Sequence, residues 1–141
     1  MLGKPHYGRV KISMNDWSRE ACYPDDVAIM LLSALNRVIR TRKPAAVKFS
    51  AGVVPFTIVF DTNQIHIISE DGKTLNYKSY EVRIEDLTNE IIGDIRRHIR
   101  SWASWGVAGV MSDEKRTERV ADIEILCLCI EAKMGEQRGV L

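Results

Sequence analysis

The stretch from residue 46 to residue 84 constrains the fold more than any other, because its apolar residues recur at every second position instead of at helical spacing. The alternating segments are AVKFS, VVPFTIVF, IHIIS and LNYKSYEVRI. Turn residues separate them at Ala51-Gly52, Asp61-Thr62-Asn63 and Asp71-Gly72. Short alternating segments joined by short turns predict an antiparallel meander of three or four strands.

The second of these segments, residues 53–60, is apolar at almost every position. A strand with two apolar faces is typical of the centre of a sheet, so we expect both of its faces to be covered. Pro55 lies inside the segment and has no backbone N–H, so we expect a bulge or a locally unpaired edge there.

Helices are predicted on both sides of the meander. The first spans residues 25–41, because it begins after Pro24 with two acidic residues and ends before Lys43-Pro44. The second spans residues 85–104, where apolar residues recur every three or four positions, and it is ended by Gly106 and Gly109.

A third helix is predicted from Ser112 to Gly135, with a polar cap at its start and a glycine near its end. Its segment ILCLCI, residues 125–130, places apolar side chains nearly all round the helix. Such a helix must be covered twice, either inside the fold or by another subunit, and we expect a homo-oligomer because its apolar surface exceeds what one layer can hide. Six apolar residues would also fit a buried strand, although the flanking pattern favours the helix.

Together these elements predict an α+β fold in a single domain spanning residues 1–141. We expect a helix, an antiparallel three- to four-stranded meander and then two helices packed on the sheet. Residues 1–23 would add an N-terminal strand or arm, with a strand over residues 7–14 and an irregular connection over residues 17–23. A chain of 141 residues buries roughly 70% of its unfolded surface, so it needs no metal or disulfide to hold its core.

Composition excludes several classes of protein. The formal net charge is +1, so a nucleic-acid binder is not favoured. The longest apolar runs are far shorter than a membrane span, and the first ten residues contain no apolar signal segment. Three cysteines, an odd number, fit reduced thiols, so we expect a cytoplasmic protein without membrane partners.

Catalytic and cofactor motifs are missing from the sequence. It contains no GxGxxG, GxxxxGK[ST], HExxH, GxSxG or CxxC. We therefore expect no enzyme, no cofactor and no metal. The alternative is a small enzyme for a phosphate-containing substrate that uses His66, near Asp61, or His98, one turn after Asp94.

Charge is distributed in separate blocks along the chain. Residues 37–48 contain five basic residues and no acid, whereas residues 61–94 have a net charge of −5. The five bases are Arg37, Arg40, Arg42, Lys43 and Lys48. Separated charge of this kind favours electrostatic docking to a partner or to a second copy of the chain.

An arginine stripe on the second helix is the sharpest candidate site. Its residues recur at helical spacing, and arginine suits phosphate or carboxylate because its donors are planar and bidentate. A glycine inside a helix costs roughly 1 kcal/mol relative to alanine, so its presence suggests that a ligand or backbone approaches closely. The candidate ligand-binding residues are Gly93, Arg96, Arg97 and Arg100, with Arg37 and Arg40 on the first helix and Trp105 as a stacking or anchoring side chain.

Ordinary structural roles compete with this hypothesis. For the stripe, a solvated helix face on which Arg97 pairs with Asp94 is the favoured interpretation, and for Trp105 core packing is favoured over stacking or anchoring. The function we expect is that of a non-catalytic oligomeric binding protein that sequesters or blocks an anionic ligand or partner through its arginine-rich helix faces, a nucleotide-like small molecule being favoured. An inhibitor of the kind that phages and mobile elements encode is one form of it. A protein-binding inhibitor or a structural assembly subunit is the alternative.

Overall fold

The computed structural model describes residues 1–52, 54–105 and 111–138. The elements, in chain order, are β1 (Arg9–Met14), β2 (Trp17–Cys22), α1 (Val27–Thr41), β3 (Ala45–Phe49), β4 (Phe56–Phe60), β5 (Gln64–Asp71), β6 (Thr74–Glu81), α2 (Ile84–Arg97), α3 (Ile99–Ala103) and α4 (Asp113–Arg138). The four-stranded sheet is antiparallel and helices pack against it, so the predicted α+β class is confirmed.

Strands β3 to β6 form the predicted meander, an antiparallel sheet in the order β3-β4-β5-β6. Strand β4 begins at Phe56, so Pro55 precedes the ladder and the bulge predicted around it is not needed. Val53, the first residue of the predicted segment, lies outside the described residues. In this order of described strands, β3 and β6 are the two edges of the sheet.

Only one face of this sheet is covered by the described residues, so the expectation that β4 is covered on both faces is wrong there. Ile58 and Ile67 pair across β4 and β5 and are fully buried on the covered face. On the other face Val59 is half-buried, and Tyr77 of β6 is exposed. An antiparallel sheet tolerates one solvated face. The apolar residues of β4 on that face made the strand look covered on both sides, and the alternation did not distinguish the two faces.

The N-terminal segment forms a hairpin, so the prediction that residues 17–23 are irregular is wrong. Strands β1 and β2 pair antiparallel along their whole length around a two-residue turn at Asn15-Asp16. The Asp16 carboxylate accepts a hydrogen bond from Lys78 Nζ at 2.7 Å and another from the Tyr80 hydroxyl at 2.6 Å. These contacts with β6 attach the hairpin to the sheet, and a contact between strands so distant in the sequence leaves no local signal.

Helix α1 packs against β3, α2 and α4, and eight of its residues are buried. It begins within two residues of the predicted start and ends at Thr41 as predicted. Arg42 follows in a left-handed conformation, with φ of 57°, and its N–H donates to the Val38 carbonyl at 2.8 Å. This turn directs the chain from α1 straight into β3.

The predicted second helix is divided at His98 into α2 and α3. His98 has φ of −128° and ψ of 36°, outside helical values, and its N–H donates to the Ile95 carbonyl. Packing of α3 against α4 accompanies the break, and Trp102 of α3 is buried. The glycines Gly106 and Gly109, which were expected to end the helix, lie outside the described residues.

Helix α4 confirms the helical interpretation of residues 125–130. It continues through Gly135 to Arg138, so Gly135 does not end it as predicted. One face of α4 is buried through Ile123, Cys127, Ile130 and Met134. In the described part of the chain, no helix has the length and apolar character required to cross a membrane.

Candidate ligand-binding face

Arg96 lies within an ion-pair cluster between α2 and α4. Its Nη1 donates to Glu131 Oε2 and its Nε to Glu124 Oε1, each at 2.8 Å. The hydrogen bonds that Arg96 donates to Glu131 and then to Glu124 raise its pKa above the ordinary value. Two carboxylates compensate this one guanidinium, so Arg96 joins two helices and presents no free charge to an anion.

The other residues of the predicted stripe, Gly93, Arg97 and Arg100, do not form one binding surface with Arg96. Arg97 donates to Asp94 at 3.3 Å, as the ordinary interpretation expected. Arg100 follows the break at His98 and is exposed on α3. Gly93 is exposed, and a Cβ placed there would meet no described atom within 4 Å, so close approach by a described group does not explain this glycine.

Asp94 is a buried carboxylate whose role the sequence did not reveal. It accepts a hydrogen bond from the backbone N–H of Leu2 at 2.9 Å and from the Met1 ammonium at 3.0 Å. Leu2 in turn bridges to Ile12 of β1. Asp94 therefore attaches the first residues of the chain to α2 instead of orienting His98.

Trp105 is a buried side chain. Its Nε1 donates to the Asp25 carbonyl oxygen at 2.7 Å, and its ring centroid lies 5.4 Å from that of Trp102. Only 7% of the residue is exposed, so the ring offers no open face for stacking on a base. Its position fits the core packing that the sequence favoured over a binding role.

No histidine of the described ranges forms a hydrogen bond or an ion pair with a carboxylate. His66 Nδ1 lies 2.6 Å from the Tyr77 hydroxyl on the open face of the sheet, whereas Asp61 accepts the backbone N–H of Thr62. Burial raises the pKa of the Cys127 thiol to about 11, which keeps it protonated. Among the described residues, no group of three histidine, cysteine, aspartate or glutamate side chains could hold a metal ion.

Arg37 lines a groove between α1 and the edge strand β3, which we call the α1–β3 groove. Its volume is about 450 Å³. Its walls are mostly small or apolar, and its residues are Met30, Ser33, Ala34 and Arg37 of α1 and Ala45, Ala46, Val47 and Lys48 of β3. The α1 residues recur at helical spacing on one side of the helix, so a single helix face forms one wall.

The α1–β3 groove carries positive charge that the described residues leave uncompensated. Arg37 and Lys48 are both exposed, and neither forms an ion pair with a described residue. Arg40 is exposed one turn after Arg37 and has no such pair either. Arg42, by contrast, pairs with Glu85 at 2.8 Å. The basic block of residues 37–48 thus contributes free cations on both walls of one groove.

A wider cleft of about 600 Å³ lies beside the β4–β5 turn. Asp61, Glu81 and Arg83 line it, so its charges are of both signs and select no ligand class. The chain was compared with protein-family models, with curated proteins and with solved structures, and none of the three comparisons found a match.

Proposed function

We propose that this protein is a non-catalytic binding protein that captures an acidic, extended segment of a protein partner in the α1–β3 groove. The observation that carries the proposal is the pair of uncompensated cations, Arg37 and Lys48, on the two walls beside a free sheet edge. This is the protein-binding form of the function expected from the sequence, and it places the ligand away from Arg96.

The free edge favours an extended polypeptide as the ligand. Strand β3 pairs with β4 on one side, and no described strand pairs with its other side. Alternate N–H and C=O groups of an edge strand point outward and bind an added strand through main-chain hydrogen bonds. Side chains of the added strand alternate, so some contact α1 near Ala34 and Arg37 and the others lie beside Lys48 on the open face.

Charge favours an acidic partner over a second copy of this chain at the same edge. Pairing two β3 edges would bring Lys48 and Arg37 of each copy near the same cations of the other, and like charges repel. An edge lysine is also a common protection against pairing of this kind. Carboxylates on the added strand would instead be attracted to both cations.

A synthetic peptide tests the proposal with the full chain. The probe is a short labelled peptide of valine and glutamate in which two glutamates are adjacent, so that one carboxylate lies on each face of the added strand. It is titrated into isotope-labelled protein and followed by nuclear magnetic resonance. We expect amide shifts confined to β3 and the facing side of α1. Arg37→Glu combined with Lys48→Glu should weaken binding by about tenfold or more, because each surface charge contributes up to about 1 kcal/mol.

The matched control is Lys11→Glu combined with Arg100→Glu, which changes the net charge equally on exposed residues outside the groove. It should leave the affinity unchanged apart from a small general effect. A peptide with N-methylated valines should not bind, because it lacks the donors for strand pairing. Equal loss in both double variants, binding of the methylated peptide, or the same shifts with ATP in place of the peptide would each overturn the proposal.

A further inference from the structure

We propose that α4 pairs antiparallel with α4 of a second copy through an exposed apolar stripe. The α4 stripe consists of Ala121, Ile125, Leu128 and Ala132. Ile125 and Leu128 are 58% and 53% exposed, although the opposite face of the same helix is buried in the core. None of these residues lines the α1–β3 groove, so the proposal is independent of the proposed function.

The spacing of the α4 stripe makes it complementary to itself. Its residues are separated by four, three and four positions, which is the seven-residue pattern of a helix pair. With the two-fold axis between residues 126 and 127, Ile125 faces Leu128 of the second copy and Ala121 faces Ala132. The alanines at both ends leave room for the helices to approach. In the next layer Glu118 faces Gly135, which has no side chain to oppose it.

Charges on the two flanks of the stripe select the antiparallel direction. On one flank Lys115 lies opposite Glu136 of the second copy, and by symmetry this attraction occurs twice. On the other flank Glu124 lies opposite Glu131, and Arg96 of each copy already compensates these two carboxylates. A parallel pair would instead place Glu118 against Glu118 in the stripe and Glu131 against Glu136 on the flank, which is unfavourable.

Cysteine cross-linking tests both contact and direction. In a Cys129→Ser background, Ala121→Cys combined with Ala132→Cys should give a covalent dimer under mild oxidation. The two cysteines of one chain are about 16 Å apart along the helix and cannot bond to each other. Each single cysteine variant is the matched control and should stay monomeric on a non-reducing gel, because its counterpart is an alanine.

Analytical ultracentrifugation of the full chain provides the second test. The wild type should sediment as a dimer, and Ile125→Asp combined with Leu128→Asp should sediment as a monomer with unchanged helical content. Leu75→Asp, at an equally exposed leucine of β6, should remain a dimer. A monomeric wild type, a dimer that survives the double substitution, or cross-linking of the single cysteine variants would overturn the proposal.

Discussion

At the residue scale, compensation decides which arginines are free to bind. Arg96 donates to two carboxylates of α4, whereas Arg37 forms no ion pair with a described residue. Both arginines lie on amphipathic helices, and both were candidates for the same site. The two arginines differ in the acidic side chains that the neighbouring helix places beside them. A guanidinium between two carboxylates keeps its charge but has no donor left for a ligand.

We expect Arg96→Ala to lower the free energy of unfolding by about 1 to 2 kcal/mol, between the values for exposed ion pairs and for hydrogen bonds to charged groups. The substitution leaves Glu124 and Glu131 adjacent and unpaired. Urea denaturation measures the loss, and Glu124→Gln added to Arg96→Ala should recover part of it. Arg100→Ala is the control and should change stability by less than about 0.5 kcal/mol. A larger loss from Arg100→Ala than from Arg96→Ala would contradict this.

Asp16 gives the hairpin contact a pH dependence. Hydrogen bonds from Lys78 and then Tyr80 lower the pKa of Asp16 from 3.8 to about 2. A depressed folded pKa stabilises the fold above the unfolded pKa, and this stabilisation is lost as the pH falls from about 4 toward about 2. We therefore expect Asp16→Asn to have a lower urea midpoint than the wild type at pH 7.

That difference in urea midpoint should become much smaller near pH 2, where about half of the folded wild type is protonated at Asp16. Glu70→Gln, at an exposed residue of β5 with no ion pair to a described residue, controls for the loss of one negative charge. A difference between Asp16→Asn and the wild type that is the same at both pH values would refute the role of the Asp16 charge.

At the element scale, helix α2 is held in place by one face and left open on the other. Ile91, Ile92 and Ile95 are buried, while Gly93 between them is exposed with open space around it. A glycine at such a position contributes backbone freedom to the unfolded chain and no packing to the folded one. The low helix propensity of Gly93, which had suggested a binding site, therefore lowers the stability of the fold without a compensating contact among the described residues.

We expect Gly93→Ala to raise the free energy of unfolding by about 0.5 to 1 kcal/mol, measured by chemical denaturation. Gly52→Ala is the contrasting variant, because its Cβ would lie 2.9 Å from the Glu20 carbonyl oxygen, closer than real contacts allow. That variant should be destabilised. Destabilisation by Gly93→Ala would instead reveal a close neighbour at this surface.

At the scale of the whole molecule, the two proposed surfaces lie on different elements. The α4 stripe faces away from the core, and the α1–β3 groove lies at the edge of the sheet. Pairing through α4 would therefore leave both grooves open and give one assembly with two binding sites. When two ligands lie close together on a surface, both grooves of one dimer bind at the same time. The dimer leaves the surface only when both grooves are empty, so it dissociates more slowly without any new contact.

We expect the wild type to dissociate from a densely immobilised valine–glutamate peptide at least about tenfold more slowly than from a sparse one. Ile125→Asp combined with Leu128→Asp should remove this dependence on density and keep the affinity for the free peptide. Surface plasmon resonance measures both quantities, with Leu75→Asp as the control. A double variant that still dissociates slowly from the dense surface would contradict the bivalent assembly.

The sequence by itself determined the class of fold and most of its elements. Alternation over residues 46–84 predicted the meander, and helical spacing predicted α1 and α4 to within a few residues but merged α2 and α3 into one helix. These patterns are readable because the two faces of a strand or helix differ in polarity, and that difference repeats every two or 3.6 residues. The basic block of residues 37–48 was equally visible, since it is a property of neighbouring residues.

Tertiary structure alone decided which distant segments meet. Asp16, in the turn between β1 and β2, attaches the hairpin to β6. Carboxylates 28 and 35 residues away compensate the charge of Arg96. The order of the described strands places β3 at an edge of the sheet. Arg96 and Arg37 both lie at helical spacing on a helix, so no periodicity separates them. They differ because α4 packs over α2 and pairs its carboxylates with Arg96, whereas Arg37 lies beside the free edge of β3. Whether a charged side chain is paired or exposed depends on which elements pack together, and their spacing along the chain does not show it.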